Sequence, residues 1–288
     1  MGGLGLMLLV ACGAPPPQTC VAVTPHDGAG QVRLEHDDGV MVLALETGAE
    51  NLKVFDHGAP WLEDHWTGRE KRYSLWGSSV RRLRRQRRLR FGWGRGALVV
   101  DPWRQLEAPV HELDSAWGGL VDAWGGKDFF FALGDQVTYQ GGQLCGERRG
   151  HCHAPLADKA LVSLRDPQGE TLRLMVDSAF HHSRLWGRGE QPVRLQLVDG
   201  SLGSLWAWPY PSSSKSDRSG TGTLGEQSPD GVLGWADLQD SAWSWDLCTA
   251  EFVFTQGPSA ADSAPALSAH TLRRNGHNAR LRQQDRAE

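Results

Sequence analysis

On a β-strand, Glu112 and Asp114 share one face about 6.6–6.8 Å apart. That lies near the separation of paired acids in glycoside hydrolysis. His151-Cys152-His153 has the spacing that aims two imidazoles at one metal from a strand, and His181-His182 is the second histidine cluster. His182 beside Arg184 offers a proton acceptor next to a cation that would neutralise a uronate, as a lyase requires. No C-x-x-C occurs, so no zinc framework is expected. G-x-S-x-G, G-x-x-x-x-G-K-[ST] and H-E-x-x-H are also missing, which sets aside serine-hydrolase, P-loop and zincin readings. Glu112, Asp114, His182 and Arg184 are therefore the catalytic candidates. His151, His153, His181 and His182 are the metal candidates, and no cofactor is expected.

Two other groups of residues read as binding surfaces. Residues 81–90 hold seven arginines. Read as one strand, Arg82, Arg84, Arg88 and Arg90 line one face. Guanidinium forks hold sulfate, phosphate and carboxylate groups bidentately. Trp206-Ala-Trp208 and Trp243-Ser-Trp245 each put two indoles on one strand face. Such platforms stack on the apolar faces of sugars or fill a core.

The elements that must position these residues are short strands. Period-two alternation marks Gln31–His36, Val40–Glu46, Ala97–Asp101, Lys127–Leu133, Ala160–Arg165, Glu170–Asp177, Pro192–Val198 and Glu251–Thr255. Asp166-Pro-Gln-Gly169 reads as a hairpin turn between two of them. The 35 glycines and 15 prolines agree with many turns. No long segment has helical periodicity, and no βαβ rhythm is present. The fold class expected is all-β, as a β-sandwich that is jelly-roll-like or a larger two-sheet form. Residues 20–256 form that domain, and residues 257–288 form a linker and a basic tail.

The first residues are apolar and uncharged, and Leu9-Val10-Ala11-Cys12 resembles the lipobox of bacterial lipoproteins. That resemblance implies a signal peptide over 1–11, lipid on Cys12 and a membrane anchor. Residues 12–19 then form a Pro-rich tether. Gly13 after the anchor cysteine leans the expectation toward the outer membrane. Five cysteines are present. With Cys12 lipidated, Cys20, Cys145, Cys152 and Cys248 remain, and four cysteines allow three pairings in an oxidising compartment. The short loop from Cys145 to Cys152 would suit a local bridge, with Cys20 then meeting Cys248.

A formal net charge of −4 argues against a nucleic-acid partner. The function expected is an exported, lipid-anchored envelope protein that binds glycans or anionic polymers such as acidic polysaccharide or lipopolysaccharide. The alternatives are a carbohydrate-active enzyme, either a polysaccharide lyase or mutarotase-like, and a structural lipoprotein that binds another protein.

Overall fold

The computed structural model describes residues 18–54 apart from 27, 37, 38 and 51, the backbone of strands within 65–106, and residues 121–264 apart from 188–189, 199–202, 211–228 and 261–263. In chain order the first strands are β1 (Thr19–Ala22), β2 (Thr24–His26), β3 (Ala29–His36), β4 (Gly39–Leu45), β5 (Lys53–Val54), β6 (His65–Ser74), β7 (Gly77–Arg85), β8 (Leu89–Trp93), β9 (Gly96–Val100), β10 (Arg104–Leu106) and β11 (Ala123–Gly125). Helix α1 (Lys127–Leu133) leads to β12 (Gln136–Gln140), β13 (Gln143–Glu147), β14 (Leu161–Arg165), β15 (Thr171–Val176), β16 (Arg184–Trp186), β17 (Val193–Leu197), β18 (Ser204–Tyr210) and β19 (Gly231–Leu233). Helix α2 (Trp235–Gln239), β20 (Ala242–Asp246) and β21 (Phe252–Gln256) follow.

The all-β class is the one observed, but the specific sandwich is not confirmed. The described strands form a five-stranded sheet (β1-β13-β12-β20-β21), a three-stranded sheet (β10-β7-β6), a seven-stranded sheet and a closed six-stranded barrel (β14-β15-β19-β16-β18-β17). Alternation along a strand fixes which face is buried, not how many sheets share the burial.

Seven of the eight alternating runs fall on strands. The exception is Lys127–Leu133, which is helix α1. Phe129, Phe130 and Leu133 are its buried apolar residues, at the i, i+1, i+4 spacing of one helical face. Three consecutive phenylalanines read as strand, and tertiary packing overrides that preference. The turn at 166–169 forms as expected. The Asp166 carboxylate accepts the Gln168 and Glu170 N–H groups at 3.0 and 2.8 Å, and Gly169 has φ +85°, the left-handed region open to glycine.

The chain repeats itself structurally. The hairpin β3–β4 corresponds to β14–β15, and each second strand pairs in parallel with a later short strand. Leu43–Leu45 lie beside Ala123–Gly125, and Leu174–Val176 lie beside Gly231–Leu233. The hydrogen bonds match one for one. Asp122 N–H reaches Val42 O and Asp230 N–H reaches Arg173 O, both at 2.8 Å. The same two aspartates accept Val42 N–H (2.7 Å) and Arg173 N–H (2.9 Å). Lys127 N–H to Ala49 O (3.0 Å) is matched by Trp235 N–H to Phe180 O (2.7 Å). Each returning strand then runs through a glycine, Gly126 or Gly234, into a short helix.

After the helices each repeat ends in a hairpin, β12–β13 or β20–β21, and the two hairpins join through β12 and β20. This shared sheet is packed with aromatics. Tyr139 stacks on Trp243 and Trp243 on Phe252, at 5.3 and 5.2 Å between centroids. Phe130 meets Trp245 edge-on at 5.3 Å. Each such pair adds about 0.5–1.5 kcal/mol beyond the area it buries.

Two disulfides close the frame, in a pairing other than the local one expected. Cys20 bonds Cys145, its directly opposite residue in the β1–β13 register, and Cys152 bonds Cys248. The strand pairing decides this, because it holds Cys145 against Cys20. The connection between repeats is pinned by Lys127, whose buried ammonium donates to the Leu156 and Ala157 carbonyls at 2.7 and 2.9 Å and also to that of Asp158. Burial pulls the Lys127 pKa down to about 8.

Candidate active site

The two repeats deliver one acid each to the same place. Strand β4 ends at Leu45 and β15 at Val176, so Glu46 and Asp177 are the next residues in each case. Both strand ends are apolar and buried, and the chain can turn there only if its backbone groups find new partners. Glu46 N–H goes to Gly125 O and Asp177 N–H to Leu233 O, both at 3.0 Å. The chain then tightens identically in each repeat, with Ala49 N–H on Glu46 O and Phe180 N–H on Asp177 O, both at 3.1 Å.

Thr47 and Ser178 lock the two turns together. Thr47 N–H donates to Ser178 Oγ and Ser178 N–H to Thr47 Oγ1, each at 3.0 Å. Each hydroxyl then donates onward across the junction, Thr47 to Val176 O at 3.1 Å and Ser178 to Leu45 O at 2.8 Å. Both residues are buried, so water cannot replace a lost partner. Ser178→Ala would orphan the Thr47 N–H and the Leu45 carbonyl. Urea unfolding should show a loss of about 2–4 kcal/mol, with Ser178→Thr close to wild type. An alanine variant within experimental error of wild type would show that the reciprocal bonds do not hold the junction.

The acids beside this lock sit differently. Asp177 is buried. Its Oδ1 accepts the Ala179 N–H at 3.1 Å, and its carboxyl group lies on the Cα of Gly48. A Cβ at Gly48 would come within 2.6 Å of Asp177 Cγ, so residue 48 has to be glycine for Asp177 to lie there. Glu46 is half-exposed. The Lys159 ammonium donates to the Gly48 carbonyl, which puts a cation on the back of the Glu46 turn. Glu46 and Asp177 thus stand immediately before the two residues whose reciprocal bonds join the turns.

Two histidines and a serine follow Asp177 in the chain. The His181 and His182 rings lie 4.1 Å apart, and His182 lies 4.7 Å from Trp208. Burial, then the neighbouring His181 and Arg184, pull the His182 pKa down to about 4, so its ring is neutral above that pH. Ser183 Oγ accepts the Gly234 N–H at 3.0 Å and donates to Asp237 Oδ2 at 2.5 Å.

The sites expected from sequence fare unevenly. Trp243 and Trp245 are 1% and 0% exposed, so their rings are core and no face is open to a sugar. Trp208 is also buried, while Trp206 is half-buried. For Trp243 and Trp245 the shared face is the inner one, whereas β18 turns Leu205 and Ala207 to the core and leaves Trp206 and Trp208 on its other face. Arg184 is buried and cannot meet a polymeric uronate. His151 and His153 are exposed, with Cys152 between them in a disulfide rather than on a metal-binding strand. Among the described residues, no three His, Cys, Asp or Glu side chains gather as a metal site. Glu112, Asp114 and Arg88 lie outside the described residues, as do the side chains of Arg82, Arg84 and Arg90. The arginine run is not one strand. Arg82 and Arg84 belong to β7 in the three-stranded sheet and Arg90 to β8 in the seven-stranded sheet.

Sequence reasoning missed Glu46 and Asp177. The signal present was an acid, a hydroxyl residue and a small residue (Glu46-Thr47-Gly48, Asp177-Ser178-Ala179) directly after two apolar strands.

No protein-family profile matches the chain, and no curated protein sequence does. Solved structures do match in shape. An aspartic proteinase from Irpex lacteus superposes with a TM-score of 0.50 at 9% identity, over 84% of this chain and 98% of the other. The likeness is one of fold. Conglutin gamma, a basic 7S globulin from lupine seeds, gives 0.49 at 10% identity over 84% and 96%. Basic 7S globulin from soybean gives 0.48 at 9% over 85% and 96%.

Proposed function

We propose that this chain is a hydrolase of peptide-like bonds in which Glu46 and Asp177 act as a carboxylate pair. The observation that carries the reading is the reciprocal Thr47–Ser178 lock, which holds an acid from each repeat at one junction. The solved structure of an aspartic proteinase with the same fold supports it. In the proposed reaction the ionised carboxylate takes a proton from water, and the water oxygen bonds to the carbonyl carbon. The protonated carboxyl gives its proton to the carbonyl oxygen. The carbon–nitrogen bond then breaks as the first acid returns its proton to the amine nitrogen, and one hydroxyl of the tetrahedral carbon gives its proton back to the second carboxylate, leaving a carboxylic acid and an amine. One acid must stay protonated, so activity should peak on the acid side of neutrality.

The test incubates the purified full chain with an unfolded protein and a peptide mixture from pH 3 to 7, with cleavage read by mass spectrometry. Acid-peaked cleavage that falls by roughly a hundredfold or more in Asp177→Asn and in Glu46→Gln is the expected result. Cleavage absent at every pH, or unchanged in both variants, would reject the hydrolase.

We also propose that the protein lies outside the cytoplasm, lipid-anchored through Cys12 at the cell envelope, with Gly13 after the anchor cysteine leaning toward the outer membrane. Two disulfides favour an oxidising compartment. Binding of acidic polysaccharide through Arg82, Arg84, Arg88 and Arg90 is proposed as a separate property, with Arg82 and Arg84 on β7 and Arg90 on β8 rather than on one strand face. The buried tryptophans take no part in it.

A further inference from the structure

Two of the matched positions that differ between the repeats bear directly on the acids. Glu46 stands where the second repeat has Asp177, and Ala179 stands where the first has Gly48. The backbone bonds on either side correspond pair by pair, from Glu46–Gly125 and Asp177–Leu233 through Ala49–Glu46 and Phe180–Asp177. Residue 179 therefore faces residue 46 as residue 48 faces residue 177.

What residue 48 does for Asp177 is explicit. A Cβ there would lie 2.6 Å from Cγ and Oδ2 and 2.8 Å from Oδ1, far inside ordinary contact, so the carboxyl seat exists only because the residue is glycine. Ala179 has that Cβ. An aspartate at position 46, seated as Asp177 is, would meet the methyl group at the same prohibitive distance. Glutamate has one more methylene, which carries its carboxyl past the obstruction.

We infer that Ala179 is the positioning residue for Glu46: its methyl closes the symmetric seat, and the longer acid is the matching partner. The inference rests on the carboxylate-pair reading for its catalytic consequence, but not for its geometry. The pair is then asymmetric by construction. Asp177 is held in its seat by the Ala179 N–H, and Glu46 reaches in from a half-exposed position.

The test is a cycle of four full-length proteins: wild type, Glu46→Asp, Ala179→Gly and the double variant. Unfolding midpoints and pH–rate profiles are measured for each. Glu46→Asp should lower the folding equilibrium constant and the rate by roughly tenfold, and adding Ala179→Gly should recover both, since contacting residues couple non-additively. Ala179→Gly alone lets Glu46 settle nearer Asp177, so the two limbs of the pH–rate profile should move apart as the carboxylates repel more strongly. Equal effects of Glu46→Asp on alanine and glycine backgrounds would overturn the inference. Coupled stabilities with no hydrolysis by any of the four would uphold the positioning role and reject the hydrolase. Hydrolysis with strictly additive effects would do the reverse.

Discussion

Removing the Cys152–Cys248 bridge should destabilise the protein by about 4–5 kcal/mol, among the largest effects of any local change in this fold. The bridge spans 96 residues, so cutting it frees a long loop in the unfolded chain, and loop-closure entropy grows with length. It also ties the connection between repeats to the β20–β21 turn, where Asp246 accepts the Cys248 and Thr249 N–H groups at 2.8 and 3.0 Å. Cys20–Cys145, closing 125 residues, should contribute a similar amount. Guanidinium unfolding of Cys152→Ser/Cys248→Ser against wild type measures this. A loss below about 1 kcal/mol would mean that the unfolded chain stays compact without the bridge.

Asp237→Asn should make stability nearly independent of pH in the range where the wild type loses it. Asp237 is half-buried in the first turn of α2, with its carboxyl group turned inward to Ser183, bonded at 2.5 Å, and with the charge of Asp240 as the other influence. Burial raises its pKa from 3.8 to about 7, against the opposing pull of the Ser183 bonds. Between those values the folded protein keeps a proton that the unfolded chain has lost. Stability therefore falls as pH rises through that window and levels off above about 7, after a loss on the order of 4 kcal/mol. Asparagine cannot ionise. The variant should match wild type near pH 4 and exceed it at pH 8. Urea melts at both pH values decide the matter, and parallel curves for the two proteins would rule out titration of Asp237. The residue bonded to it, Ser183, also holds Gly234, the next residue after the Leu233 that anchors Asp177. Acid conditions thus favour the packing behind the carboxylate that the proposed reaction needs.

Strand positions were legible in the sequence because alternation is local. Val32 and Leu34, or Leu172 and Leu174, announce a buried face from a few residues. Helix α1 was not, because Phe129-Phe130-Phe131 fits a strand equally well until Leu133 completes the turn. The same-face placement of Trp243 and Trp245 followed from period two, but whether that face meets solvent depends on β12 and β21 on either side. The disulfide pairing depended on the β1–β13 register, which no spacing announces. The acid pair was hidden for a similar reason. Thr47 and Ser178 are 131 residues apart, and each acid alone is an ordinary polar residue at the end of a strand. Only the repeat topology makes them neighbours.

The sheet shared by the two hairpins also bears on how the chain is made. Once residues 136–147 have left the ribosome, β12 and β13 can pair with each other and with β1. The other side of β12, however, is the seat of β20 and stays open until residues 242–246 arrive. An unsatisfied strand edge bearing Val137 and Tyr139 is a template for the wrong partner. A nascent first repeat could recruit the β20 of a neighbouring molecule, giving an exchanged dimer with the same sheet. Truncation after residue 160 should consequently yield material that self-associates through that edge rather than a small soluble half.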